Sequence, residues 1–255
     1  MGFADEQKER YSRQIILSGV GDRGQQKLLD SKVLVMGTGG LGSSAAMFLA
    51  AAGVGMIGLV DSDIVDLSNL QRQIIHSTQD VGKPKVISGR ETINRLNPDV
   101  HVVTYQEWVS SNNIANIIED QDYEFIIDAT DNFSSKFLIN DACVLLHKPY
   151  SHAGVLQFSG QTMTYVPGKG PCYRCAFLNP PPPNTIPTCK EVGVLSSLPG
   201  LIGTIQATEA IKYFLGTGEL LTGYLLVADV LTMEFRKVKL SRRPDCRACG
   251  EQASL

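Results

Sequence analysis

A chain of 255 residues can bury a generous core, as one large domain or one and a half. Its 43% hydrophobic and 19% charged content is that of an ordinary globular protein, and a net charge of −3 disfavours nucleic acid as the main ligand, since phosphate backbones need a basic field. The polar start does not resemble a signal peptide, and the longest apolar run, over 45–55, is too short and too rich in small residues to span a bilayer, so a cytoplasmic protein without a membrane partner is expected.

Tyr11, Ile15 and Ile16 among charges predict a surface helix over 5–17, followed by a short helix over 23–29. Lys32-Val33-Leu34-Val35-Met36 reads as a buried strand. The loop Gly37-Thr38-Gly39-Gly40-Leu41-Gly42 follows it and opens a helix that runs through Ala52. A second strand over 56–60 ends on Asp61, completing a β-α-β unit with an acid closing its second strand. After the polar connector Ser68-Asn69-Leu70-Gln71-Arg72-Gln73, a helix is predicted over 83–96, stopped by Asn97-Pro98. A strand over 101–105, a helix over 112–119 and a strand over 124–127 continue the alternation. Asp128-Ala129-Thr130-Asp131-Asn132 then turns into a helix ending near His147.

Beyond Pro149 the pattern changes. Strands over 153–158 and 161–166 flank Ser159-Gly160, a hairpin signal. The stretch 167–194 carries Pro180-Pro181-Pro182-Pro183 and reads as an extended, semi-rigid crossing loop. A helix over 201–215 and strands over 224–228 and 233–240 follow. The expected fold is α/β: a doubly wound, Rossmann-like, mainly parallel sheet extended by antiparallel strands. A single domain over 1–255 is expected, with a nucleotide-binding half over 1–148 and a second half over 149–255.

Two Cys-x-x-Cys pairs, Cys172/Cys175 and Cys246/Cys249, stand near the two ends of that second half. Together they offer four thiolates, the ligand set of a closed tetrahedral zinc site that would pin the C-terminal half; two independent redox or free-thiol pairs are the alternative. In the glycine loop, Gly37, Gly39 and Gly42 let backbone amides approach phosphate at a helix N-terminus, and Asp61 can accept from ribose hydroxyls. By itself this reads as a nicotinamide or flavin site, or as glycines kept for packing.

Arg13, Arg72 and Lys85 supply more cations near the loop than one pyrophosphate bridge needs, unless each is a solvated surface side chain. Asp131 falls at the end of a parallel strand, where ligands bind. A carboxylate beside a polyphosphate is destabilising unless a metal lies between them, so Asp131 suggests Mg²⁺, and a triphosphate with magnesium fits better than a dinucleotide. Cys189 precedes Lys190, a cation that would favour the thiolate, so a reactive role is expected, with a small packing residue on the loop as the alternative. Cys143 lies among apolar helix neighbours and is expected in the core. His76, His101, His147 and His152 are scattered and receive no role.

Arg10-Tyr11-Ser12-Arg13-Gln14, the glycine loop, Asp61 with Ser68 to Gln73, Gly82-x-x-Lys85, Asp128 to Asn132, Pro171-Cys172-Tyr173-Arg174-Cys175 and Cys246-x-x-Cys249 follow one another in order over nearly the whole chain. This ordered set resembles the ThiF/MoeB/HesA family, bacterial relatives of ubiquitin-activating enzymes. The resemblance implies an adenylyltransferase that uses ATP to activate the C-terminal glycine of a small ubiquitin-fold sulfur-carrier protein ending in Gly-Gly. Pyrophosphate would be released ahead of thiocarboxylate formation for thiamine or molybdopterin biosynthesis.

It further implies that Gly37, Gly39, Gly40 and Gly42 line the nucleotide, Arg72 and Lys85 hold phosphates, Asp61 the ribose and Asp131 the magnesium. Asn69 and Gln73 would help position the nucleotide, and Arg13 would reach into the neighbouring site of a homodimer. The second half would bind the carrier, and Cys189 would take the activated acyl group or take part in sulfur transfer. No rhodanese-like segment is appended, so a separate sulfur donor protein is expected. A dehydratase relative that activates a tRNA-bound carboxylate, an NAD-dependent oxidoreductase and a non-catalytic binding module are the other readings. The chemistry suits the inventory: a C-terminal carboxylate with a pKa of about 3.5 is already ionised and needs no general base. Positioning and electrostatics would carry catalysis.

Overall fold

The structure, a computed structural model, describes residues 3–182, 185–251 and 253. Its frame is one eight-stranded sheet in the order β3-β2-β1-β4-β5-β6-β7-β8. The strands are β1 (Lys32–Met36), β2 (Met56–Val60), β3 (His101–Tyr105), β4 (Phe125–Asp128), β5 (Tyr150–Leu156), β6 (Ser159–Tyr165), β7 (Tyr224–Asp229) and β8 (Glu234–Lys239). From β3 to β5 all pairings are parallel, and from β5 to β8 all are antiparallel. The helices are α1 (Asp5–Ile15), α2 (Gly21–Asp30), α3 (Gly40–Ala52), α4 (Lys85–Leu96), α5 (Ile114–Glu119), α6 (Phe133–Leu145), α7 (Tyr173–Ala176), α8 (Cys189–Val192) and α9 (Ser197–Leu215).

Alternate side chains of one strand serve two cores, as the period of two requires. Val33 and Val35 of β1 join Ile57, Leu59, Phe125 and Ile127 beneath α3, α4 and α9. Leu34 and Met36 join Ile126, Ile139 and Tyr150 on the opposite face, with Cys172 and Cys246 in the same cluster. Each core therefore draws on both ends of the chain. Small residues let α3 and α9 approach closely: a Cβ at Gly203 would collide with the Leu41 carbonyl and the Ser44 hydroxyl. Among the described residues no helix is long and apolar enough to cross a membrane.

Several boundaries differ from the sequence expectation. Helix α1 ends at Ile15 rather than 17, and α4 starts at Lys85, because Ile64 and Pro84 form an isolated bridge just before it. The hairpin turns at Gln157-Phe158, where Gln157 has φ +53°, and not at Ser159-Gly160. Gly160 instead lies within β6, where a Cβ would meet Ile202 of α9 at 2.6 Å, so this glycine serves close packing. Helix α9 begins at Ser197, four residues earlier than expected. Pro199 sits in its first turn, where a missing N–H costs nothing. The crossing loop is not wholly extended, since Cys189 opens the single turn α8. Pro183 and the side chain of Lys190 lie outside the described residues.

Candidate active site

The carboxyl ends of the parallel strands open into a cleft of about 890 Å³, counting its mouth. Each strand delivers one segment to it in sheet order: Glu107 to Val109 after β3, Asp61 to Asp63 after β2, Gly37 to Gly40 after β1, Ala129 to Asn132 after β4, and Val155 at the end of β5. Cys189 and Val194 stand at the β5 end, near Val155 and Gln157, and Pro199 packs beside Gly40. Ligands of open α/β sheets bind in this position.

Gly37 has φ +95° and its Cβ position lies 2.8 Å from the Ala129 carbonyl, so only glycine fits where β1 turns into α3. Gly39 is the N-cap of α3 and Gly40 its first residue, which leaves amides facing the cleft. Gly42 does not line the cleft. It lies in the first turn of α3, where a Cβ would collide with the Gly37 carbonyl. Asp61 is tightly fixed: Oδ2 accepts from the Thr38 amide at 2.8 Å and its hydroxyl at 2.9 Å, and Oδ1 accepts from the Asp63 amide at 2.9 Å.

Arg72, Gln73 and Lys85 line the cleft between the first two strands' ends and the α4 N-terminus. Lys85 is buried, with Nζ 2.8 Å from Asp63 Oδ2. Gln73 is buried, and its Oε1 has no partner among the described residues. Asn69 stands outside the cleft lining and shapes the turn instead: its carbonyl accepts from the amides of both Arg72 and Gln73. Asp131 is exposed at the cleft beside Asn132, whose Oδ1 caps α6 at Ser135. Arg13 is exposed on α1 and is not part of the lining. The cleft thus gathers Gly37, Gly39, Gly40, Asp61, Arg72, Gln73, Lys85, Asp131 and Cys189, and leaves Gly42, Asn69 and Arg13 outside.

The Cys189 thiol donates to the Val155 carbonyl at 3.3 Å. Burial pushes its pKa up, and Asp131 adds to the rise against the opposing pull of Arg72. In this conformation the thiol is held protonated, which differs from the ionised state expected beside Lys190.

A buried network beneath the Asp131 turn had no signal in the sequence. His152 Nδ1 lies 2.8 Å from Asp128 Oδ2, and Asp128 Oδ1 accepts from the Thr130 amide and hydroxyl. The Lys136 ammonium donates to the carbonyls of Thr130 at 2.7 Å and Ala153 at 2.6 Å, and lies 3.5 Å from Asp128. Burial alone would raise the Asp128 pKa; Lys136, His152 and Thr130 outweigh it and hold the carboxyl at about 2. Burial, with Lys136 nearby, pushes His152 down and keeps it neutral.

Replacing Asp128 with Ala leaves the Lys136 ammonium buried without its counter-charge, and a loss of about 3–5 kcal/mol in unfolding free energy is expected by chemical denaturation. Because the folded pKa lies below the unfolded value of about 3.9, this stabilisation is complete above about pH 4 and is lost as pH falls toward 2. The gap between wild type and Asp128→Ala should therefore narrow, by up to about 2.6 kcal/mol, as pH falls through that window and below it. A gap that stays constant from neutral pH to pH 2 would contradict the assignment.

The four cysteines of the two pairs converge. Their Sγ atoms all lie within 4.8 Å of one another, with Cys172 and Cys246 at 3.7 Å and Cys175 and Cys249 at 3.4 Å. A tetrahedron with metal–sulfur bonds of about 2.3 Å has edges of ~3.8 Å, so this set fits a metal of that geometry. The hydrogen bond between the Cys172 and Cys175 thiols lowers the Cys175 pKa to about 5 and drives Cys172 up, since crowded sulfurs cannot all ionise without a cation. Arg174 anchors the same turn through two bonds to Asp141 of α6, at 2.6 and 2.7 Å. Cys143 is fully buried in the core, as expected.

A glycine turn that opens a helix on a doubly wound sheet, with antiparallel strands extending the sheet and four converging thiols, defines an α/β protein of a particular build. The chain belongs to the ThiF family, whose model matches residues 11–248. It is 43% identical over 257 residues to a sulfur carrier protein adenylyltransferase of Thermus thermophilus, covering 99% of this chain and 94% of that one. It is 47% identical over 247 residues to an adenylyltransferase and sulfurtransferase MOCS3 of Culex quinquefasciatus; the match covers 96% of this chain but spans only 56% of that relative. Among solved structures, E. coli MccB shares the fold with a TM-score of 0.85 at 23% identity, covering 99% of this chain and 75% of that one.

Proposed function

We propose that this chain is an ATP-dependent adenylyltransferase acting on the C-terminal glycine carboxylate of a small ubiquitin-fold sulfur-carrier protein. The observation that carries the reading is the convergence of the glycine turn, Arg72, Lys85 and Asp131 in one cleft that Cys189, Val194 and Pro199 also line. The family and the names of the full-length relatives support it. The polyphosphate would lie along the Gly39 and Gly40 amides with Arg72 and Lys85 as counter-charges, Lys85 shifting from Asp63 to do so. The carrier's carboxylate would enter from the β5 end, already ionised, and needs only to be held in line with the α-phosphate against charge repulsion. Asp131 would hold Mg²⁺, which neutralises phosphate charge when bound.

Cys172, Cys175, Cys246 and Cys249 would hold zinc, which joins the segment after β6 to the chain's last turn. The activated carrier would then receive sulfur from a separate donor protein, for thiamine or molybdopterin biosynthesis, and the active form would be a homodimer in which Arg13 serves the partner's cleft. The direct test is ATP–pyrophosphate exchange with a carrier ending in Gly-Gly. Exchange should require the carrier and vanish when its last glycine is removed; exchange that ignores the carrier would overturn the reading.

Cys189 belongs to the step after adenylation. Cys189→Ser should keep pyrophosphate exchange, which needs only carboxylate, ATP and cations. It should lose thiocarboxylate formation, because a hydroxyl ionises far less readily than a thiol. Mass spectrometry of the carrier reads the outcome. Wild-type thiocarboxylate yield from the serine variant would leave Cys189 a packing residue and assign sulfur delivery wholly to the donor.

A further inference from the structure

The end of the cleft at β3 lies beyond the glycine turn, the cations and Asp131. Asp61 fixes where a ribose would sit, and its amide donates to the Tyr105 carbonyl at 3.1 Å, so the end of β3 lies on the side of Asp61 away from the phosphate turn. Whatever is attached to that ribose must extend toward the segment after β3. Trp108 stands there, in the cleft wall between Glu107 and Val109, and is the chain's single tryptophan.

Its position is built, not incidental. Asn113 clamps the segment with four bonds: Oδ1 accepts from the Ser110 amide at 2.8 Å and hydroxyl at 3.1 Å, while Nδ2 donates to Glu107 Oε2 at 2.9 Å and to the Trp108 carbonyl at 3.0 Å. Val109 turns inward into the core, which anchors the other flank. The indole between them is left 62% exposed. Among the described residues no ring or hydrogen-bond partner meets it. A large aromatic on a clamped backbone at a cleft edge, with a free face, is what a planar ligand group requires.

We propose that Trp108 stacks on the nucleobase of the bound nucleotide and sets its affinity, an inference that rests on the nucleotide-binding reading of the cleft. Stacking of a base on an aromatic side chain is sequence-tolerant and contributes appreciably to affinity. Trp108 is a binding residue in this scheme, remote from the phosphate turn and from Asp131, so it should govern KM for ATP and leave kcat nearly unchanged.

The test uses the intact chain and needs no carrier. Tryptophan emission reports on Trp108 alone, and calorimetry gives Kd for ATP and for inorganic tripolyphosphate, which carries the charges without a base. ATP should quench or shift the emission, and tripolyphosphate should not. Trp108→Ala should weaken ATP on the order of tenfold while leaving tripolyphosphate affinity unchanged, and Trp108→Phe should recover most of the loss. ATP binding without an emission change, with Trp108→Ala within about twofold of wild type, would overturn the stacking role and leave the nucleotide site standing. Equal weakening of tripolyphosphate would also overturn it, and failure of ATP to bind at all would sink both the inference and the reading beneath it.

Discussion

Asp131→Ala is expected to reduce carrier-dependent pyrophosphate exchange on the order of 10²–10³-fold while weakening ATP binding by less than about tenfold. The asymmetry follows from where the carboxylate stands. Asp131 is exposed at the carboxyl end of β4, on a turn fixed from beneath by Asp128 and Lys136, and makes no tie that its removal would leave buried and unpaired. Its loss should therefore spare the fold. Charge balance around the α-phosphate matters most as the carrier carboxylate attacks, so the loss appears mainly in the transition state. Arg72→Ala and Lys85→Ala should weaken binding and exchange together, because phosphate contacts act in both states. Mixing Asp131→Ala with Arg13→Ala subunits should restore part of the activity if Arg13 serves the partner's cleft. Full exchange by Asp131→Ala would remove this residue from the chemistry.

Cys246→Ser, or exhaustive chelation, should unfold the segment that joins β6 to α7 and the chain's last turn, with a large fall in melting temperature. Zinc held by four thiolates contributes about 10–16 kcal/mol in small peptide sites, as much as a whole domain's net stability. Here two of the four candidate ligands are part of the core: Cys172 and Cys246 are buried in the cluster that includes Leu34, Met36 and Tyr150. The damage should spread to α6 through the Arg174–Asp141 pair, while the glycine turn, on residues of the first core, is less affected. Metal analysis should find one zinc per chain in wild type and none in the variant. Freshly purified wild-type protein with four free thiols, no zinc and an unchanged melting curve would contradict the assignment.

The parallel half was legible because β1, β2 and β4 are near-continuous apolar runs, buried over most of their length, whereas β3 at the sheet edge is only partly buried. Glycines were harder. Gly160 looks like a turn residue in sequence and acts as a packing residue under Ile202, and nothing local distinguishes the two uses. Pro199 and Gly200 likewise read as helix breakers although they sit in the first turn of α9, whose start is decided by packing on α3. The cleft residues signalled by motif spacing came together, but Asn69 acts on the turn rather than the cleft, and Gly42 on the path of α3. The Asp128–His152–Lys136 network joins residues far apart in the chain, and such pairing becomes visible only once β4 and β5 lie side by side. Trp108 was overlooked for the same reason: its meaning depends on β3 lying next to β2.

Mass spectrometry of a Gly-Gly carrier incubated with the protein, ATP and magnesium reads directly whether this cleft joins an adenylate to a protein carboxylate. Rapid acid quenching should reveal a carrier heavier by one adenylate group, and the species should be lost in Asp131→Ala and on truncating the carrier's final glycine. A carrier whose mass never changes, with ATP bound in the cleft and zinc in place, would contradict that chemistry.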